Sequence, residues 1–265
     1  MRVLYVTSEV SPFAKTGRLA DASARLVEAL RASGIDIRLL VPGYRPALQR
    51  AGNLKEVVRL GDPLNCGPVR LLETALPQTK VPVWFIDCPA LYDRPGGLYR
   101  SEDGGDWPDN ALRFALLNHV AAGIANEPGR SWRPDLVHCH DWQAALVPLL
   151  LAGEARPRPT LLTIHNQADL GLFPEQAVGH LDLPDEARGA MQFDGGFSFL
   201  KAGICLADAV TTMAAPTAIA AAEEGAWARS AQVYARLYRA LTRFRAAGHA
   251  EPIMVETGEP EKLTA

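Results

Sequence analysis

No run of about 18 apolar residues occurs in the 265-residue chain, so no membrane-spanning helix is expected. The longest candidate, residues 142–152, is too short and contains Pro148. The apolar opening, residues 1–10, is interrupted by Glu9 and soon followed by Lys15, which leaves too little for the core of a secretory signal. A cytoplasmic location is the expectation. An excess of basic residues is also lacking: 27 Lys and Arg against 30 Asp and Glu give a formal charge of −3, which argues against a nucleic-acid partner. Cysteine is sparse. Cys66, Cys88, Cys139 and Cys205 form no C-x-x-C pair, so neither a structural zinc site nor a disulfide framework is expected. Cys139 and Cys205 lie in apolar runs and read as small core residues. G-x-G-x-x-G, G-x-x-x-x-G-K-[ST] and G-x-S-x-G are all missing, which weakens dinucleotide, P-loop and serine-hydrolase readings.

What is present is enough apolar sequence, 48% against 22% charged, for a packed core. Residues 2–7 (RVLYVT) read as a buried strand, 19–33 as an amphipathic helix stopped by Gly34, and 35–41 (IDIRLLV) as a second strand. Strand, helix and strand within 41 residues make a βαβ unit with a parallel pair. Short β-rich runs at 57–60, 69–75 and 81–86 read as hairpins on or beside the main sheet. Residues 92–99 read as a turn-rich loop. Residues 109–125 read as a helix with Leu112, Ala115, Leu116, His119 and Gly123 on one side. Strands are expected at 135–140, 160–165 and 209–213, with helices at 142–152 and 197–206. From 217 to 247, Trp227, Ala231, Tyr234, Tyr238, Leu241 and Phe244 recur every three or four residues, the stripe of a long helix docking on the domain. Residues 251–265 read as a loose polar tail.

In open parallel sheets, ligands bind beyond the carboxyl ends of the strands. Three segments put polar side chains there: residues 8–21, His140-Asp141, and His165-Asn166-Gln167. Lys15-Thr16-Gly17-Arg18 stands before a helix, whose free N–H groups suit a phosphate or sugar hydroxyl. The plain alternative is a strand-to-helix loop capped by Thr16. His138 and His140 share one face of their strand. No third ligand is spaced to complete a metal site, so a buried, hydrogen-bonded His138 and a cleft-lining His140 are the better reading. His165 suits hydrogen bonding to a hydroxyl or carbonyl, or simply caps its strand.

Several segments resemble, in one order, those of bacterial glycogen synthases and plant starch synthases. They are V-L-Y-V-T-S-E-V-x-P-F-A-K-T-G-x-L-A-D (3–21), L-Y-D-R-P-G (91–96), D-N-A-L-R-F (109–114), W-R-P-D (132–135), H-C-H-D-W (138–142), T-I-H-N (163–166) and F-L-K-A-G (199–203). The resemblance covers roughly residues 1–213. It implies an α/β, doubly wound Rossmann-like sheet forming one half of a GT-B fold, with inserted hairpins and a long C-terminal helix. With the helix and tail read above, three parts are expected: residues 1–213, which carry the resemblance, a helical extension 214–250, and the tail 251–265. The activity implied is retaining transfer of glucose from ADP-glucose to an α-1,4-glucan, with no cofactor and no metal. By motif, Lys15, Gly17 and Asp21 would lie near the donor, joined by Arg18. Asp141 and His165 would face the reacting glucose, and Tyr92, Trp142 and Asn166 the acceptor.

The departures carry as much meaning. Arg18 stands where the family has a second glycine, and would either crowd the donor or bring it a new charge. Asp169 and Leu170 replace an aromatic residue and a glutamine, and Ala214-Ala215-Pro216 replaces a serine-proline. Beyond about residue 215 the family continues through a second domain that holds the nucleotide, whereas about 50 residues follow here. Residues 227–241 faintly resemble the family's returning final helix; an unrelated amphipathic helix is the alternative. Three functions follow: a glucan-binding or regulatory relative that is catalytically incomplete alone, one subunit of a split transferase completed by a donor-domain chain, or a nucleotide-binding module with a new activity. A homo-oligomer is a further possible assembly, and neither nucleic acid nor membrane is expected as a partner. A nicotinamide dehydrogenase is disfavoured by the missing glycine motif and by the lack of an acidic residue after the second strand.

Overall fold

The computed structural model describes residues 1–126, 131–154, 157–184, 187–212, 225–246 and 253–255. Its first 42 residues fold as their pattern dictates. β1 (Arg2–Val6) is followed by α1 (Arg18–Ala32) and β2 (Asp36–Pro42), and β1 pairs with β2 in parallel. Gly34 ends α1 at φ +87°, a backbone angle that costs a glycine little. After α2 (Arg45–Ala51) come β3 (Lys55–Gly61), β4 (Val69–Ala75) and β5 (Pro82–Asp87). The hairpins expected on or beside the sheet are part of it. β5 pairs in parallel with β2, and β4 and β3 add antiparallel strands to that edge.

α3 (Pro89–Tyr92) and α4 (Asn110–Asn126) lead to β6 (Leu136–His140) and β7 (Thr160–Ile164), with α5 (Val147–Ala152) between them. β8 (Leu172–Phe173), α6 (Glu175–Val178), α7 (Ala187–Met191), β9 (Gln192–Phe193) and β10 (Gly196–Ser198) form an inserted lobe with its own three-stranded sheet. The chain returns through α8 (Phe199–Leu206), β11 (Ala209–Thr212), α9 (Ala226–Ala246) and β12 (Ile253–Val255). The large sheet runs β12-β11-β7-β6-β1-β2-β5-β4-β3, parallel from β12 to β5. This is the expected doubly wound sheet, with α1 and α9 packed against each other on it and α4, α5 and α8 packed together elsewhere.

Five expectations need correction. Residues 142–152 are not one helix: a 3-10 turn (Trp142–Ala144) precedes α5, and Pro148 sits in the first turn of α5, where its missing N–H costs nothing. The helix expected from 197 starts at Phe199, because the Ser198 hydroxyl caps it by accepting from the Lys201 N–H at 3.1 Å. α4 is buried on most sides rather than along one stripe, and Gly123 is exposed. Cys139 is buried but Cys205 is exposed, so only the former is a core residue. The tail is also not wholly loose, since Ile253–Val255 adds β12 to β11 in parallel. Met213, the departures at 214–216, the first residues of the expected long helix and the rest of the tail lie outside the described residues.

The stripe on α9 is confirmed for Ala231, Tyr234, Tyr238 and Leu241, which are buried, while Trp227 is half-buried against the core. The stripe is not merely apolar. His138 points from β6 toward α9, its Nδ1 2.7 Å from the Tyr238 hydroxyl and its Nε2 2.7 Å from Thr163 Oγ1. Thr163 also meets Thr211 at 2.7 Å and the Tyr234 hydroxyl at 3.3 Å. A neutral imidazole donates through one nitrogen and accepts through the other, which this ring of hydroxyls satisfies. Burial pushes the His138 pKa well below its ordinary value. At its far end α9 is held by Arg245, whose guanidinium pairs with Asp208; Asp208 in turn accepts from the Thr160 N–H at 2.8 Å.

Candidate active-site edge

β1, β6 and β7 are neighbours in the sheet and run the same way, so the segments after them emerge along one edge. The sequence spacing anticipated this convergence. Asp141 lies at its centre. It has φ +54° and ψ −173°, a region almost reserved for glycine, where an L-residue costs of order 1–3 kcal/mol. The surroundings hold it there. Its N–H continues the ladder to the Thr163 carbonyl at 3.0 Å, and its Oδ1 accepts from the backbone N–H groups of His165 at 2.6 Å and Asn166 at 3.2 Å. The carboxylate thus fixes the start of the loop after β7. Burial pushes its pKa up to about 6; the two N–H donors oppose this, and the negative charges of Asp169 and Glu9 add to it.

The histidines form a stack rather than a metal cage. His140 Nδ1 lies 3.0 Å from His165 Nε2, and the Tyr5 ring stacks on His140 at 4.0 Å between centroids. His140 is fully buried and does not line an open cleft, as the sequence reading had it; its Nε2 has no hydrogen-bond partner. His165 is partly exposed, and burial pushes its pKa down to about 4. It is a neutral imidazole at pH 7, able to donate or accept one hydrogen bond. No group of three or more potential metal ligands occurs among the described residues.

The loop after β1 depends on a residue the motif reading did not single out. Glu9 is buried, and its carboxylate accepts from the Thr16 N–H at 2.7 Å, the Thr16 hydroxyl at 2.6 Å, the Gly17 N–H at 3.2 Å and the Tyr99 hydroxyl at 2.7 Å. Thr16 therefore does not cap α1; Gly17 occupies the cap position with no side-chain bond to the helix. An acidic residue next to a strand end, followed by K-T-G, was the signal available in the sequence. Glu9→Ala is expected to take the partner from the Thr16 and Gly17 N–H groups and from the Thr16 hydroxyl, while the Tyr99 hydroxyl keeps Ser8 Oγ at 2.8 Å. That costs about 1–3 kcal/mol and raises hydrogen exchange in residues 14–18, read by urea unfolding and exchange mass spectrometry.

Lys15, Gly17, Arg18 and Asp21 are exposed, and Lys15 pairs with Asp21 at 2.7 Å. Arg18 opens α1 without a positive φ, and Gly17, at φ −146°, needs none either. A side chain at 18 thus does no damage to the backbone; its effect is on whatever approaches the loop. Asn166 is exposed, its Oδ1 accepting from the Ala168 N–H. Two proposed acceptor residues are placed elsewhere. The Tyr92 ring is buried and its hydroxyl donates to the Arg113 carbonyl at 2.5 Å, so it faces the core and not a glucan. Trp142 is likewise buried between Phe114, Phe173 and Phe199, against Gly171, where a Cβ would come within 2.5 Å of the indole. Both aromatic rings are more valuable to packing than to an open surface.

The doubly wound sheet, with Asp141, His165 and the loop bearing Lys15 following β6, β7 and β1, has the fold of one Rossmann-type half of a GT-B glycosyltransferase. Residues 2–219 match the family described as starch synthase catalytic domain, and the chain belongs to that family. It is 47% identical over 219 residues to the glycogen synthase of Paramagnetospirillum magneticum, covering 80% of this chain and 44% of that relative. It is 48% identical over 215 residues to the glycogen synthase of Burkholderia thailandensis, covering 79% and 40%. The chain thus spans less than half the length of these curated relatives. The catalytic domain of starch synthase IV from Arabidopsis thaliana, solved with ADP and acarbose, shares the fold at TM-score 0.62 and 20% identity, over 96% of this chain and 50% of that one. No helix among the described residues is long and apolar enough to cross a membrane.

Proposed function

We propose that these residues form the acceptor-side domain of a glycogen or starch synthase-type glucosyltransferase, and that alone they bind glucan or modulate a synthase without completing the transfer from ADP-glucose. The observation that carries this is the Asp141 arrangement. The family's H-C-H-D-W and T-I-H-N motifs are present, and the Asp141 carboxylate binds the backbone of His165 and Asn166. Asp141 and His165 are the groups assigned to the reacting glucose. His165, neutral at pH 7, suits a sugar hydroxyl or the developing charge on the ring. Lys15, Arg18 and Asp21 are assigned to the donor side of the edge, and Asn166 to the acceptor.

Glycosyl transfer needs positive charge fixed on the departing diphosphate and a tightly oriented donor. Exposed Lys15 and Arg18 are two cations on one loop, and Lys15 is already paired with Asp21. These residues span 40–44% of the relatives they match, and a second reading has the donor domain supplied from outside them. Titration calorimetry with maltoheptaose and with ADP-glucose, run beside a radiolabelled glucose-transfer assay, tests both. Glucan binding without transfer is the expected result. Measurable transfer by this chain alone overturns the claim of incompleteness, and binding of neither ligand overturns the acceptor-side assignment.

A further inference from the structure

The four cysteines are far apart in sequence, yet the fold brings two of them together. Cys66 lies in the turn between β3 and β4, and Cys88 follows β5 at the start of α3. Because β4 pairs antiparallel with β5 in register from Arg70–Asp87 to Ala75–Pro82, the turn before β4 returns to the end of β5. The two sulfurs are 3.9 Å apart, and the Cys88 Sγ–H lies 3.7 Å from the Cys66 carbonyl. The turn is held in place independently of the thiols. Asp62 Oδ1 accepts from the N–H groups of Cys66 at 2.7 Å and Gly67 at 3.0 Å, and a Cβ at Gly67 would rest 3.7 Å from the Ala90 side chain on α3. Cys66 is half-buried and reachable from solvent, whereas Cys88 is fully buried behind it.

We propose that Cys66 and Cys88 are a reversible disulfide site, closed by a peroxide or another two-electron oxidant and opened by a thiol reductant. A disulfide has its sulfurs about 2.05 Å apart, so closure asks each side chain for a displacement of about 1 Å. With hydrogen peroxide the accessible Cys66 sulfur attacks one peroxide oxygen. The O–O bond breaks, an S–O bond forms, and the first water leaves. The Cys88 sulfur then attacks the Cys66 sulfur, the S–S bond forms, the S–O bond breaks, and the second water leaves. The two thiol hydrogens end in the two waters, and the two electrons taken from sulfur reduce the peroxide. Burial pushes the Cys66 pKa up to about 12 and that of Cys88 also upward, which keeps the thiolate scarce and the reaction slow. Once formed, the bond ties the β3–β4 turn to the segment that carries Tyr92 and Tyr99, and the Tyr99 hydroxyl is a partner of Glu9. The cross-link therefore acts on the support of the loop after β1.

The test uses the full chain with Cys205→Ser, so that the exposed thiol cannot link two copies. Protein reduced and then treated with hydrogen peroxide is alkylated and mapped by mass spectrometry, and its melting temperature is measured with and without dithiothreitol. The expected result is a peptide pair joined through Cys66 and Cys88, and a melting temperature raised by roughly 5–10 °C that falls back on reduction. Cys66→Ser and Cys88→Ser should each abolish the shift. Separately alkylated Cys66 and Cys88 after peroxide treatment, or over-oxidation of Cys66 without a cross-link, overturns the site. A shift that persists in Cys66→Ser does the same.

Discussion

Asp141→Asn is expected to stabilise the folded chain at pH 8. The folded pKa of Asp141 is raised from 3.8 to about 6, so its contribution to stability is fully present below about pH 4 and is lost as pH rises through 6. Above that range the fold carries a buried negative charge beside Asp169 and Glu9. Two pH units correspond to about 3 kcal/mol as an upper bound. Asparagine keeps an oxygen for the His165 and Asn166 N–H groups, carries no charge, and tolerates positive φ better than most residues. Urea unfolding at pH 8 should show a gain of about 1–3 kcal/mol. Equal or lower stability of the variant would sink this account of the site.

The same substitution should change the shape of the pH profile. His138, His140 and His165 are all held below their ordinary pKa by burial, His165 at about 4. Their contributions are complete above pH 6.5 and are lost as pH falls toward the folded values. Asp141 works in the opposite direction between pH 4 and 6. Without it, stability should fall more steeply on acidification, because nothing offsets the histidines. The stack cannot take up several protons together, since His140 touches both His138 and His165.

Tyr238→Ala should cost about 3–5 kcal/mol, the largest loss expected from any single truncation on α9. It removes a fully buried ring and leaves Nδ1 of His138 unpaired inside the protein. Tyr238→Phe separates the two effects: keeping the ring and losing only the hydroxyl should cost about 1–3 kcal/mol. Denaturant unfolding of the three proteins reads both numbers. If Tyr238→Ala unfolds with the wild-type midpoint, α9 is an appendage and not part of the core.

The two substitutions also show what could be read from sequence. β1, β6 and β7 announced themselves as apolar runs ending in polar residues, and their shared edge followed from the parallel-sheet rule. The stripe on α9 was visible, but its hydroxyls were not matched to histidines about 100 positions away, because period alone carries no partner. Trp142 and Tyr92 sit inside recognisable motifs, which suggested contact with ligand; their burial depends on Phe114, Phe173, Phe199 and Arg113, residues remote in sequence. β8, β9 and β10 are two or three residues long, too short for any alternation to register. For Glu9 the sequence shows an acidic residue at a strand end before K-T-G, but its partners Thr16, Gly17 and Tyr99 are fixed only when the loop folds back on it.

The two outermost strands bear on how this protein behaves at high concentration. A sheet edge with unpaired N–H and C=O groups invites a strand from another molecule. At one border β3 presents Lys55, Glu56 and Arg59 and has two register irregularities, which make a poor template for stacking. At the other, Ile253–Val255 lies along β11 and occupies its free hydrogen-bonding side. Three residues from an otherwise polar stretch therefore act as a stopper. Trimming the chain before Ile253 would leave β11 open, and the cost would show as self-association and precipitation rather than as a lower melting point.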